Sequence, residues 1–151
     1  MLEENRQKYE NYKEQFKRLN RALANGFNLE AMFIEYAILE DRTESVLRHA
    51  GLWDTYLKSR KGRDPGIDSK IRYIKKAAES NRKSILHRYF SDDLLDQVLL
   101  WKDERNRLIH ALLKQNLTAE EVTTLATQGN ELVKTIRSRA SACNSAFSRK
   151  K

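Results

Sequence analysis

The sequence contains one cysteine, one proline and five glycines among its 151 residues. The single cysteine, Cys143, excludes an internal disulfide and a cysteine-based zinc site, and it suits a reducing compartment. So little proline and glycine disfavours a disordered tail or a turn-rich β-sandwich. No apolar run is long enough to span a membrane, and the N-terminal stretch MLEENRQKYE lacks the pattern of a secretory signal. We therefore expect a cytoplasmic, largely helical protein.

Several motifs of well-known enzyme classes are also missing. The chain has no glycine-rich phosphate loop, no H-E-x-x-H zinc motif, no paired cysteines and no G-x-S-x-G nucleophile turn. Its three histidines, His49, His87 and His110, are not spaced as a metal site would require. We therefore expect any active site to be free of metal and of other cofactors, and to be built around His110.

The residues that are present favour helices. Hydrophobic residues make up 40% of the chain and charged residues 33%, and the apolar positions recur at helical spacing. A length of 151 residues fits one domain, 1–151, with a core of its own. These features predict an all-α antiparallel bundle of four to five helices. The formal net charge of +8 favours a polyanionic partner without proving one.

The first two helices are predicted from apolar stripes and end signals. Asn25-Gly26 is expected to end the first helix, and Asn28 to cap a second helix that runs to His49. The stripe of the first helix consists of Leu2, Tyr9, Tyr12, Phe16, Leu19 and Leu23. Its aromatic residues could stack on nucleobases, but an aromatic stripe at this spacing is more often part of the core.

The middle of the chain is less clearly patterned. Residues 52–66 are expected to form a connection, and its cations are Lys58, Arg60, Lys61 and Arg63. Such a basic loop could grip phosphates or simply face solvent. Asp64-Pro65 is expected to start a third helical segment, 67–90, as one helix or as two that meet near Ser80-Asn81. A capping box, Thr118 to Glu121, predicts the start of the last helix, in which Gly129 could allow close helix approach.

The most informative stretch runs from Ser91 to Gln115, SDDLLDQVLLWKDERNRLIHALLKQ. Its apolar face is formed by Leu94, Val98, Trp101, Leu108 and Leu112, at alternating spacings of four and three. Arg105 falls near the centre of this face, with Lys102 and Asn106 on one flank and His110 near the edge. A guanidinium seldom lies unpaired in a core, because it stays charged.

Arg105 has an ordinary structural explanation as well as a functional one. It could pair with a carboxylate of a neighbouring helix, or extend its head past the apolar face into solvent. The leading candidates for such a carboxylate are Glu40 and Asp41 at the polar end of the second helix. Each of these acids could equally belong to an ordinary solvated face.

Residues Arg105 to His110 have the form R-N-x-x-x-H, which resembles the R-x(4-6)-H motif of the HEPN (higher eukaryotes and prokaryotes nucleotide-binding) superfamily. The resemblance implies a compact all-α bundle with the motif on a late helix. It also implies a metal-independent endoribonuclease, in a toxin or defence setting, that cleaves RNA through attack of the ribose 2′-hydroxyl on the adjacent phosphate. Two protomers would bring their motifs together across a two-fold axis.

The resemblance assigns a role to each residue of the motif. His110 would act as general base or acid, Arg105 would stabilise charge on the phosphate, and Asn106 would orient the imidazole or bind the phosphate. Lys102 would be close enough to assist in substrate binding. Where family members are controlled by a paired nucleotidyltransferase, a Tyr often follows two residues after the His; here that residue is Leu112. The expected partners are RNA, a second copy and an antitoxin.

A non-catalytic function also fits the sequence. In this alternative, the chain is a helical module of the same superfamily that binds RNA, a nucleotide or a protein, and Arg105 only braces the bundle. Incubation with RNA in a metal chelator separates the two functions.

Overall fold

The computed structural model describes residues 2–63 and 65–150. Within these ranges the chain forms helices and no strand, which confirms the prediction of an all-helical bundle. The helices are α1 Leu2–Ala24, α2 Asn28–His49, α3 Trp53–Ser59, α4 Ile67–Ser80, α5 Ile85–Phe90, α6 Leu94–Ala111 and α7 Ala119–Arg149. Five of them are long, while α3 and α5 have only seven and six residues.

The centre of the fold is a pair of parallel helices, α2 and α7. Near their N-terminal ends, Nδ2 of Asn28 donates to Oγ1 of Thr123 (3.0 Å). Further along both helices, Nδ2 of Asn144 donates to Oγ of Ser45 (3.1 Å). The predicted antiparallel arrangement holds for α1 with α2 and for α6 with α7. The pair α2 and α7 is parallel because the intervening helices return the chain to the same end of the bundle.

Helix α1 runs antiparallel to α2 but is buried only in its second half. Arg18 lies 3.4 Å from Glu30, and the hydroxyl of Tyr12 donates to Asp41. The side chains of residues 3–11 are all exposed, including that of Tyr9, because all the other residues of this stretch are charged or carry amide side chains. The predicted stripe is therefore core only from Tyr12 onwards; the side chain of Leu2 lies outside the described part.

Helix α6 packs between α4 and α7. The indole Nε1 of Trp101 donates to the carbonyl of Leu125 in α7 (2.9 Å), and Lys75 of α4 pairs with Asp96. The predicted apolar face of α6 is confirmed for its first four members, Leu94, Val98, Trp101 and Leu108, all of which are buried. The fifth, Leu112, is exposed because the helix ends at Ala111 rather than at Gln115.

Two predictions about helix boundaries need correction, and one open alternative is decided. The connection of residues 52–66 contains α3. Of the two alternatives for the segment 67–90, the structure has two helices, because Asn81 is extended between α4 and α5. Asn28 does not cap α2; it is the first residue of that helix, and its side chain is bonded to α7. The expected cap residue Asp64 lies outside the described residues. The capping box of Thr118 and Glu121 is confirmed.

Two remaining features concern cysteine chemistry and membranes. Cys143 is buried, and burial raises the pKa of its thiol to about 11, so the sulfur is protonated at neutral pH. Among the described residues, no helix combines the length and the apolar character that crossing a bilayer would require.

Candidate functional site

The side chain of Arg105 lies between α6 and α2 and is only 8% exposed. Its guanidinium carbon is 4.5 Å from the ring centroid of Tyr36 and 5.1 Å from that of Phe33, both on α2. Cations are attracted to the faces of aromatic rings, and the planar guanidinium is well suited to such contacts. Aromatic side chains therefore hold the arginine where a carboxylate was expected.

The polar atoms of Arg105 are only partly satisfied. Nη1 donates to Oδ1 of the adjacent Asn106 (3.1 Å), while the buried Nε has no hydrogen-bond partner within the described chain. No carboxylate of residues 2–63 or 65–150 forms an ion pair with this guanidinium. Burial lowers the pKa of Arg105, and the nearby Tyr36 opposes that change. The group nevertheless stays charged at neutral pH, so it is a cation without a counter-ion in the described part of the protein.

The prediction that Glu40 or Asp41 holds Arg105 is wrong. Oε1 of Glu40 accepts a hydrogen bond from Nζ of the buried Lys70 of α4 (3.0 Å). Asp41 accepts from Tyr12 and from Arg42 (2.6 Å), on the side of α2 that faces α1. Burial opposes ionisation of Asp41, but these two hydrogen bonds outweigh it and lower the pKa of its carboxyl. Glu40 therefore joins α2 to α4 through Lys70, and Asp41 joins α2 to α1 through Tyr12, and neither pairs with Arg105.

Lys102 is also engaged in ion pairs. Its ammonium pairs with Asp68 of α4 and lies 2.7 Å from Asp103. Burial works against the charged form of Lys102, but the hydrogen bonds to Asp103 and Asp68 outweigh it and raise the pKa of the ammonium. The structure thus places this predicted substrate-binding residue in a bridge between α6 and α4, where two carboxylates already compensate its charge.

His110 lies on the last turn of α6 and is exposed. Within the described part of the chain its imidazole has no hydrogen-bond partner. Five residues separate it from Arg105, which corresponds to about 140° around a helix. A single chain therefore holds Arg105 against α2 and turns His110 towards solvent, so it does not bring the two together. Asn106 is half-buried between them and already accepts a hydrogen bond from Arg105.

Large apolar side chains are exposed around this part of the molecule. Phe33, whose ring contacts the Arg105 guanidinium, is 62% exposed, and Leu113, just past the end of α6, is fully exposed. Phe27, Leu29 and Leu112 are exposed as well. Exposed apolar residues scattered singly are normal, but the contact with Arg105 places Phe33 at the rim of the candidate site.

Sequence reasoning did not select Glu35, the most unusual ionisable residue of the structure. It is 0% exposed, and neither of its carboxylate oxygens has a hydrogen-bond partner in the described chain. It lies beside Trp101 of α6 and opposite Gly129 of α7. Burial raises the pKa of Glu35 to about 9, so the carboxyl is neutral at pH 7. The available signal was its position in the mainly apolar stretch of residues 29–39, where Glu30 is the only other charged residue.

Comparisons with protein-family models, with curated proteins and with solved structures found no match to this chain. The chemistry of the side chains and the motif resemblance therefore have to carry any argument about function. Among the described residues, no group of three or more histidine, cysteine or acidic side chains is arranged to hold a metal ion.

Proposed function

We propose that the chain is a metal-independent endoribonuclease that uses Arg105, His110 and Asn106. The observation that carries the proposal is the Arg105 guanidinium, a cation buried against two aromatic rings that no carboxylate of residues 2–63 or 65–150 neutralises. A guanidinium in such surroundings favours an anion, and its fork of donors matches the oxygens of a phosphate. The motif resemblance supplies the reaction, and the +8 charge of the chain is compatible with an RNA substrate.

In the proposed reaction, His110 removes the proton from a ribose 2′-hydroxyl. The 2′-oxygen forms a bond to the adjacent phosphorus while the bond from phosphorus to the 5′-oxygen breaks. A second histidine gives a proton to that leaving oxygen, so the products are a 2′,3′-cyclic phosphate and a 5′-hydroxyl. Arg105 stabilises the negative charge that develops on the phosphate oxygens, and Asn106 holds the Arg105 donors in place.

This reaction calls for a second copy of the chain. One chain turns Arg105 and His110 to different sides of α6, and one histidine cannot be base and acid at the same moment. A symmetric dimer that packs around the end of α6 would supply two of each residue. The exposed Phe33 and Leu113 offer apolar surface for such an interface. By resemblance, the dimer would be a toxin or defence effector, and an antitoxin would be its neutralising partner.

One observation favours a second candidate, a non-catalytic module that binds RNA. Arg105 packs against Phe33 and Tyr36, and this contact joins α6 to α2 whether or not a substrate is present. In this case Arg105 only braces the bundle, and the exposed His110 has no role in chemistry.

Incubation of the purified protein with total RNA in EDTA tests the proposal. Cleavage should persist in the chelator and leave 2′,3′-cyclic phosphate ends, because the mechanism requires no metal. A matched incubation with the Arg105→Met variant, which keeps an unbranched apolar stem but removes the guanidinium, should leave the RNA intact. Binding without cleavage by both proteins would instead select the non-catalytic module.

A further inference from the structure

A long groove between α1 and α7 has not been used by the proposed reaction. It has a volume of about 960 Å³ and runs along α1 from Asn5 to Asn20. Its lining contains six cations and no carboxylate, and the cations are Lys8, Lys13, Lys17, Arg42, Lys134 and Arg137. A concave surface lined by one sign of charge concentrates its field and attracts ions of the opposite sign.

Much of this positive charge is uncompensated. Lys13, Lys17 and Arg137 have no ion pair with a carboxylate anywhere in the described part of the chain. The other three cations are paired: Lys8 and Arg42 share Asp41, at 3.2 Å and 2.6 Å, and Lys134 lies 3.4 Å from Glu131. The pair of Lys134 with Glu131 is solvent-exposed and of the kind that contributes little. The groove is therefore a strip of net positive charge rather than a balanced ionic network.

Aromatic rings are interleaved with the cations. Tyr9 is 65% exposed at the wall of the groove, and Tyr12 and Phe16 are half-buried further along the same face of α1. The Arg137 guanidinium lies 3.8 Å from the ring centroid of Phe16, and that of Arg42 lies 4.7 Å from the ring centroid of Tyr12. Solvated lysines alone would not explain an exposed tyrosine among them. Flat aromatic and guanidinium surfaces are what unpaired bases stack on.

The groove is also connected with the surroundings of Arg105. Lys8 and Tyr12 line a second, smaller cavity of about 450 Å³ between α1 and α2. Phe33 lies at that cavity, and its ring contacts the Arg105 guanidinium. The two cavities therefore share Lys8 and Tyr12, and the smaller one, which Asp41 and several apolar side chains also line, extends from the groove to Phe33.

We infer that the groove between α1 and α7 binds single-stranded RNA, with phosphates on Lys13, Lys17 and Arg137 and a base stacked on Tyr9. A duplex fits less well, because its bases are already stacked on each other and cannot use the aromatic rings. Inorganic polyphosphate has the charge but no bases. This inference does not rest on the proposed catalytic function, since a groove can bind RNA whether or not the chain cleaves it.

Binding can be measured apart from cleavage with a fluorescein-labelled 2′-O-methyl oligouridylate. Its blocked 2′-oxygen cannot attack phosphorus, so fluorescence anisotropy reports affinity alone. The double variant Lys13→Glu/Lys17→Glu should bind more weakly, by about tenfold or more. Its plot of log K against log salt concentration should also be shallower by about 1.4, because two phosphate contacts are lost. The charge-matched control Lys58→Glu/Arg60→Glu alters the basic loop after α3 by the same amount. Equal losses in the two variants would overturn the assignment to the groove.

The aromatic part of the inference has its own matched pair. Tyr9→Ala should weaken binding of the oligouridylate roughly tenfold, whereas Tyr9→Phe, which keeps the ring, should bind like wild type. Tyr9 is too exposed for either change to unfold the chain, and circular dichroism would verify this. Equal affinity of Tyr9→Ala and Tyr9→Phe would overturn the stacking contact. Tighter binding of a duplex, or displacement by polyphosphate as effective as by unlabelled oligouridylate, would overturn the assignment to single-stranded RNA.

Discussion

Glu35 and Gly129 face each other across the parallel pair α2 and α7, with no room for a side chain between them. A Cβ built on Gly129 would have Oε1 of Glu35 as its nearest neighbour and would lie 2.7 Å from Cζ2 of Trp101 and 2.8 Å from Cδ of Glu35. The hydrogen side chain of Gly129 therefore creates the space that the buried carboxyl and the indole fill. Substitutions at Glu35 and at Gly129 should therefore both change the stability of the protein.

Glu35→Gln should make the protein more stable at alkaline pH. In the folded chain burial raises the pKa of Glu35 from 4.5 to about 9. Between these values the unfolded chain ionises while the folded chain keeps its proton, so the wild-type protein loses stability as pH rises through this window. The variant has no titratable group at this position, so its free energy of unfolding does not fall in this way. Relative to wild type, the variant should be more stable near pH 8 than near pH 4 by on the order of a few kcal/mol. Urea unfolding at the two pH values measures the difference.

Parallel pH profiles for wild type and Glu35→Gln would show that the carboxyl titrates normally. Glu121→Gln is a useful control, because Glu121 is exposed and its pKa is lowered by hydrogen bonds from Thr118. That substitution should produce no gain at alkaline pH.

Gly129→Ala should destabilise the protein by about 1–3 kcal/mol, because the new methyl group would overlap Trp101 and Glu35. Combination with Glu35→Ala should recover part of the loss, since the shorter side chain vacates the nearest position. Unfolding of the two single variants and the double variant closes a thermodynamic cycle. Strict additivity of the two losses would mean that the residues do not share this space.

His110→Ala should abolish RNA cleavage and leave the melting temperature nearly unchanged, since the imidazole is exposed and has no partner in the described chain. His49→Ala removes another exposed histidine and should keep full activity. Cleavage of total RNA in EDTA, together with a thermal melt, checks both variants. Activity in His110→Ala would exclude this histidine from the chemistry.

The two arginines of the motif should behave differently. Arg107 is exposed and forms an ion pair with Glu104 at 3.0 Å, so Arg107→Ala should leave cleavage and stability nearly intact. Arg105→Ala should remove activity and also cost stability, because the guanidinium packs on Phe33 and Tyr36. Arg105→Met should keep much of that packing and still be inactive. If a folded Arg105→Met variant cleaves RNA, Arg105 has only a structural role.

The proposed dimer predicts a dependence on Leu113, which is fully exposed beyond the end of α6. Leu113→Asp should shift the protein towards monomer in sedimentation equilibrium and reduce cleavage accordingly. Leu100→Asp is the matched control, since Leu100 is 67% exposed in a different groove, between α6 and α7. A wild-type monomer at micromolar concentration would contradict both the interface and the composite site.

Helices were predicted well where the sequence signal depends on residues a few positions apart. The apolar stripe of α6 and the capping box before α7 depend on residues a few positions apart, and both are confirmed. Helix α3 escaped prediction because its seven residues are too few for a periodic pattern to stand out. Leu112 was misplaced because periodicity continues past Ala111, where the helix itself stops.

The surroundings of Arg105 depended on contacts that periodicity cannot supply. The pattern on α6 placed the guanidinium in the core, which is correct. Its partners are two rings of α2, about 70 positions earlier in the chain, and nothing in the spacing of acids on α2 favoured Phe33 and Tyr36 over Glu40 and Asp41. Whether His110 and Arg105 act together stays a prediction, because it depends on a second chain.

The parallel pairing of α2 with α7 has a consequence for the order in which the protein folds. The hydrogen bonds that join these helices link Asn28 to Thr123 and Ser45 to Asn144, so 95 and 99 positions, about two thirds of the chain, separate the partners. Closing so long a loop costs entropy before any contact is gained. During synthesis, the central pair therefore cannot form until α7 has left the ribosome. Until then, the faces of α2, α5 and α6 that pack on α7 stay uncovered, and a ribosome-bound chain stalled before residue 119 should be cut readily by proteases.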